Sequence, residues 1–158
     1  VSAGATSNQL GLVFTTVLDE LELGLDEEDE DQESVDRGYW ELKASKATVA
    51  MADELLDLVH GYAPELSLKY NKLYIGLAHD GRPNNFVVFR AKKNHIAVEP
   101  RLKESDEIRN ELEEAGLDLL DYDKRWGRYR IRLSAEDLKA HADLIRKILK
   151  QAYDQAAV

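Results

Sequence analysis

The stretch Leu68–Glu99, LKYNKLYIGLAHDGRPNNFVVFRAKKNHIAVE, decides the fold. Its apolar residues come in short segments, each stopped by turn chemistry. Leu73-Tyr74-Ile75-Gly76-Leu77 ends at Asp80-Gly81, Phe86-Val87-Val88-Phe89 at Lys92-Lys93-Asn94, and Ile96-Ala97-Val98 at Pro100. β-Branched and aromatic side chains suit a pleated, half-buried surface, while Gly, Asn and Asp accept the backbone angles that reverse a chain. The pattern predicts three antiparallel strands joined by short loops, with the rest of the chain laid against them as helix.

Downstream, Arg128-Tyr129-Arg130-Ile131-Arg132-Leu133 is the cleanest period-two alternation in the chain and predicts a fourth strand. Tyr129, Ile131 and Leu133 would face one way, and Arg128, Arg130 and Arg132 the other. Between the meander and this strand, Ser105 is placed to cap a helix with Asp106 and Glu107 in its first turn, where the helix dipole favours acids. Ile108, Leu112 and Ala115 would form its buried stripe and Gly116 its stop, followed by a connector through Leu117, Leu119 and Leu120 and a turn around Gly127. Ser134 and Asp137 have the spacing of a capping box, with Asp where Glu or Gln is usual, and open a last helix that buries Leu138, Ile145, Ile148, Leu149 and Ala152.

Upstream, Ser45 is a suitable N-cap for a helix carrying Val49, Ala52, Leu55, Leu56 and Val59 on one side, stopped by Gly61 and Pro64. Tyr39 and Trp40 precede it as bulky aromatics expected to pack on the core. Further back, Leu10, Val13, Phe14, Val17, Leu18 and Leu21 have helical spacing. Asp26–Asp36 is an acidic run that repels itself and buries nothing, so a solvated linker is expected there. A calcium loop fits it poorly, since the turn glycine and alternating ligands of an EF-hand are missing. The expected organisation is residues 1–37 as N-terminal helix and acidic linker and residues 38–158 as one α+β domain. That domain would hold an antiparallel sheet of about four strands with helices on one face.

At 158 residues the chain is long enough for one domain with a proper core. It has no cysteine, which excludes disulfides and thiolate metal sites. Its apolar runs are too short for a membrane helix or a signal-peptide core, so a cytoplasmic protein without membrane contact is expected. The small polar start at Val1 points to a piece of a longer polypeptide.

The net charge of −10 conceals a segregation by segment. Residues 1–65 carry −13, residues 66–103 carry +6, residues 104–123 carry −8 and residues 124–132 carry +5. Local sign governs what a face attracts, because salt screens charge over roughly 8 Å. Arg90, Lys92, Lys93, Arg101, Lys103, Arg128, Arg130 and Arg132 are therefore candidate contacts to a nucleic-acid backbone. Such contacts supply affinity without reading base sequence. The competing explanation is a solvated sheet face kept cationic against edge pairing, or one that docks the acidic linker in cis or from a second copy.

His60, His79, His95 and His141 form no metal-ligand pair, and no nucleophile elbow or phosphate loop is present. Neither a catalytic residue nor a cofactor or metal ligand is expected.

The strings YWELKASKATVAMADELL, KYNKLYIGLAHDG, NNFVVFRAKK and YDKRWGRYRIRLSAEDL resemble an uncharacterised family whose members stand at C-terminal positions in bacterial and archaeal proteins. Those proteins are labelled as predicted transport proteins or associated with restriction-type nucleases. The resemblance covers roughly Tyr39 to Tyr153 and implies an accessory module with no assigned activity. Together these readings give a non-catalytic module that contacts nucleic-acid backbone through a basic sheet face. A protein-interaction or homodimerisation domain is the alternative.

Overall fold

The structure is a computed structural model, and it describes residues 33–156. The helix expected at 10–21 and most of the acidic run lie outside the described residues. Two helices come first, α1 (Arg37–Lys43) and α2 (Lys46–His60), followed by strands β1 (Ser67–Tyr70), β2 (Ile75–His79), β3 (Arg82–Pro83), β4 (Val87–Ala91) and β5 (Ile96–Pro100). Helix α3 (Asp106–Glu114), strands β6 (Asp118–Leu119) and β7 (Ile131–Leu133), and helices α4 (Ala135–Ala140) and α5 (Ala142–Ala156) complete the domain.

The class is α+β, with five helices on an antiparallel sheet of order β1-β2-β4-β5-β7-β6, and β3 paired to β2 as well. The described sheet has seven strands, which corrects the expectation of about four. The additional ones are β1, β3 and β6. Strands β3 and β6 are two residues each, too short for any periodicity to register, and β1 (SLKY) mixes polar with apolar residues along an edge.

Local chemistry explains the element ends. Asp80 and Gly81 both take positive φ, 52° and 79°, the geometry of a two-residue hairpin whose twist matches that of the strands it joins. Ser45 Oγ accepts from Thr48 N–H, Ser105 Oγ from Glu107 and Ile108, and Ser134 with Asp137 closes a full capping box. The expected last helix is divided at His141 (φ −121°, ψ 28°), where the backbone leaves helical geometry for one residue.

The core is built from alternate strand residues. Ile75 and Leu77, then Val87, Phe89 and Ala91, then Ile96 and Val98, then Ile131 and Leu133 join Val49, Ala52, Leu55 and Val59 of α2 and Ile145, Ile148, Leu149 and Ala152 of α5 in one cluster. Burying apolar surface of this kind contributes about 25 cal/mol per Å². The alternate set, Ala78, Val88, Ala97 and Glu99, is buried too, so β5 is covered on both sides over its whole length.

Trp40 belongs to α1, 1% exposed, and its indole N–H donates to the Asn71 carbonyl at 2.8 Å. The end of the acidic run is held as well. Val35 N–H donates to Tyr70 O, Ser34 bridges to Asn71, and Asp36 caps α1. Arg37 then ties α1 to α2 and β1, through Asp53 at 2.7 and 3.0 Å and the Tyr70 hydroxyl at 3.2 Å.

Candidate nucleic-acid interface

Strand β5 is buried along its length and carries no cation itself, so the nearest cationic residues in the chain lie before and after it. Lys92 and Lys93 stand exposed in the loop from β4 to β5, where Lys92 N–H donates to His95 O at 2.8 Å. Arg101 and Lys103 stand exposed just past its other end. Five residues of antiparallel strand span about 17 Å, which is the scale of the separation between the two groups.

The segment carrying Arg101 and Lys103 is pinned at each step. Arg101 N–H donates to Phe86 O at 2.8 Å, Leu102 N–H to Gly127 O at 2.9 Å, and Lys103 N–H to Gln155 Oε1 at 3.1 Å. The Tyr122 hydroxyl donates to Leu102 O, and the Tyr129 hydroxyl takes a hydrogen bond from Ser105 N–H at 2.6 Å while donating to Ser105 O at 3.0 Å. Both phenols are shifted upward from their ordinary pKa, by burial first, so they remain donors across the neutral range.

Beside this segment lies the turn Asp123–Arg128. Asp123 accepts through its side chain from Arg125 N–H at 3.0 Å and Trp126 N–H at 3.2 Å, and through its carbonyl from Gly127 at 2.8 Å and Arg128 at 3.1 Å. Gly127 sits at φ 69°, a conformation that costs glycine nothing and a side-chain-bearing residue about 1 kcal/mol or more. The turn holds Lys124 and Arg125 out in solvent, with the Arg125 guanidinium 5.5 Å from the Trp126 ring centre. Between segment and turn is a cleft of about 290 Å³, lined by Arg101, Leu102, Lys103, Tyr122, Trp126, Gly127, Gln155 and Ala156.

The other expected contacts are placed differently. Arg90 is mostly covered, pairs with Glu99 at 3.1 Å, donates to Leu73 O at 3.1 Å and lies 5.7 Å from the Tyr74 ring centre. Arg128 is 1% exposed, and Arg130 donates to Asp121 O at 3.1 Å. Arg132 is exposed, 3.6 Å from Asp118. Alternation fixes which side of a strand a residue takes, and it carries no information on what covers that side.

Lys43 was not singled out in the sequence. It packs over the Trp40 ring at 4.7 Å and donates to Lys72 O at 3.0 Å. Its ammonium is held below the ordinary lysine range, by burial first and then by the nearby charges of Lys92 and Arg90. Three cations therefore gather where α1 ends beside the β4–β5 loop. Trp126 was also not singled out, though the interleaving of basic and aromatic residues in YDKRWGR is a legible signal for a stacking platform.

Among the described residues no three His, Asp or Glu side chains gather to hold a metal ion, and no helix is long and apolar enough to cross a membrane. His60 Nε2 lies 2.7 Å from Leu66 O, and His79 lies 3.4 Å from the Asp80 carboxylate.

No curated protein and no solved structure matches the chain. Residues 39–156, well over half of its length, match the family described as Domain of unknown function (DUF5655), and the chain belongs to that family.

Proposed function

We propose that this chain is a non-catalytic accessory module of a larger nuclease- or defence-type protein, and that it holds nucleic-acid backbone through exposed cations at the two ends of β5. The observation that carries the reading is the bracketing of a buried central strand by Lys92 and Lys93 on one side and Arg101 and Lys103, with Lys124 and Arg125, on the other. Cations fixed on a rigid frame release counterions from phosphates without the ordering cost of a flexible tail. The cytoplasm is the setting that fits such a ligand and a chain without cysteine.

A protein-docking or homodimer surface has less support. Among the described residues Leu42, at 86% exposure, is the one large hydrophobic side chain left in solvent, and a single such residue is ordinary.

The test is anisotropy of labelled single- and double-stranded DNA and RNA against salt. If Lys92, Lys93, Arg101 and Lys103 each neutralise one phosphate of a single strand, raising salt from about 50 to about 200 mM lowers affinity roughly 50-fold. Replacing Lys92 and Lys93, or Arg101 and Lys103, by Ala lowers the salt slope by about 1 or more for each pair. Absence of binding at low salt, or binding indifferent to both salt and substitution, refutes the proposal.

A further inference from the structure

The cleft beside β5 combines features that phosphate contact alone does not require. Its floor is apolar, formed by the buried Leu102 and by Gly127, which offers no side chain. One wall is the half-buried Trp126, and the rim carries Arg101 and Lys103, with no carboxylate among the described lining residues. Asp123, the acid nearest in sequence to Trp126, is engaged by the backbone N–H groups of Arg125 and Trp126. A mainly apolar cleft lined by an indole and two cations suits a planar, π-rich group that carries negative charge at one end. At about 290 Å³ it stands at the foot of the range for small-ligand sites, roughly 300–1,000 Å³, which admits one nucleobase with its sugar and not a stack.

Resting on the function proposed above, we infer that this cleft takes one unstacked base of a single-stranded nucleic acid, the base lying on Trp126 and its phosphates meeting Arg101 and Lys103. Single strands are held this way in general, by aromatic side chains on which bases stack and cations that track the backbone. Stacking of this kind tolerates any base, because every base has a π face. The rigidity of both walls matters here. The Asp123 side chain holds the Trp126 backbone N–H, and Gly127 and Tyr122 hold the Leu102 backbone, so the main chain on both sides of the cleft is set before the ligand arrives.

The intrinsic fluorescence of the full chain reads the site directly. It has two tryptophans, and Trp40 is 1% exposed, so quenching by a bound base reports Trp126. Three probes are titrated at low salt: oligo-dT of about eight nucleotides, an abasic oligomer of the same phosphate number, and free thymidine monophosphate. Oligo-dT is expected to quench and to bind more tightly than the abasic strand. Trp126→Ala is expected to abolish the quench and weaken oligo-dT by about 5- to 150-fold while leaving abasic binding unchanged, and Trp126→Phe to retain most of the affinity. Trp126 lies in a turn outside the helices and strands, so both variants should keep the wild-type far-ultraviolet circular dichroism.

Equal binding of oligo-dT and the abasic strand, or Trp126→Ala with unaltered affinity, overturns the base slot and leaves the backbone-binding function standing. Quenching by the free mononucleotide with none by oligo-dT overturns the single-strand assignment. No binding of any oligomer overturns both proposals.

Discussion

Replacing Asn71 by Ala tests the reasoning about the sheet at its most informative point. Asn71 is 6% exposed and turns the chain from β1 into β2. Its Oδ1 accepts from Leu73 N–H at 2.8 Å and Tyr74 N–H at 2.9 Å, and its carbonyl receives the Trp40 indole N–H. The Ala variant keeps the backbone carbonyl and deletes the side-chain acceptor. Tyr74 N–H is buried and would be left without that partner, at a cost of about 1–3 kcal/mol. Leu73 is only partly covered, so water can replace the lost bond and the cost there is about 0.5–1.5 kcal/mol. A total of about 1.5–4.5 kcal/mol is expected, read as a lower urea midpoint at constant m-value. Asn71→Asp retains the acceptor and should lose less than half as much. The argument fails if Asn71→Ala lies within about 0.5 kcal/mol of wild type, the range of an ordinary surface change, or if the Asp variant is as unstable as the Ala variant.

Two further outcomes follow from the packing. The Tyr62 hydroxyl is buried against Tyr153 and Lys150 with no hydrogen-bond partner among the described residues, and burial, ahead of the Asp154 charge, raises its pKa above the ordinary value of 10. The folded chain then keeps a proton that the unfolded chain releases, so this group subtracts stability as pH rises above about 10. Tyr62→Phe is expected to be neutral or stabilising at pH 8 and to reduce the alkaline loss in a denaturation series, and an unchanged alkaline limb would refute the assignment. A methyl group at Gly76 would overlap the Asn85 side-chain oxygen that accepts from Leu77 N–H at 3.0 Å. Gly76→Ala should therefore cost about 1–3 kcal/mol by overpacking on a strand that otherwise tolerates alanine, as denaturant titration would show.

Strands β2, β4, β5 and β7 and the serine-capped helices α2, α3 and α4 were legible because their signals are local. Period-two alternation, Asp-Gly and serine caps each act over a few residues, and each appears in the structure close to where the residues placed it. Strands β1, β3 and β6 were not legible, since what makes them strands is a partner: β1 pairs residue by residue with β2, and β6 with β7. The break at His141 was hidden for a related reason, as apolar spacing runs through it from Leu138 to Ile145. In the candidate site, the clustering of positive charge was readable and its exposure was not. Arg128 and Arg132 share a strand alternation in the sequence, yet one is buried and the other exposed. Burial depends on which distant segments close over a face, and no window of sequence contains that.

The position of the exposed cations follows from the burial of the strand between them. A strand covered on one face can carry charge along the other, where side chains point to solvent. Covering β5 on both faces leaves Glu99 as its one ionisable residue, and that residue is paired with Arg90. Leaving a mostly buried carboxylate uncompensated would cost several kcal/mol, so Arg90 serves the fold through that pair. Charge available to a partner is thereby displaced to the loop before β5 and the segment after it. The same hydrogen bonds that terminate the strand, from Arg101, Leu102 and Lys103 to Phe86, Gly127 and Gln155, also fix the second group against the Trp126 turn. The proposed interface is thus positioned by the core itself, and a change that loosens the end of β5 should disturb Arg101, Lys103 and the cleft together.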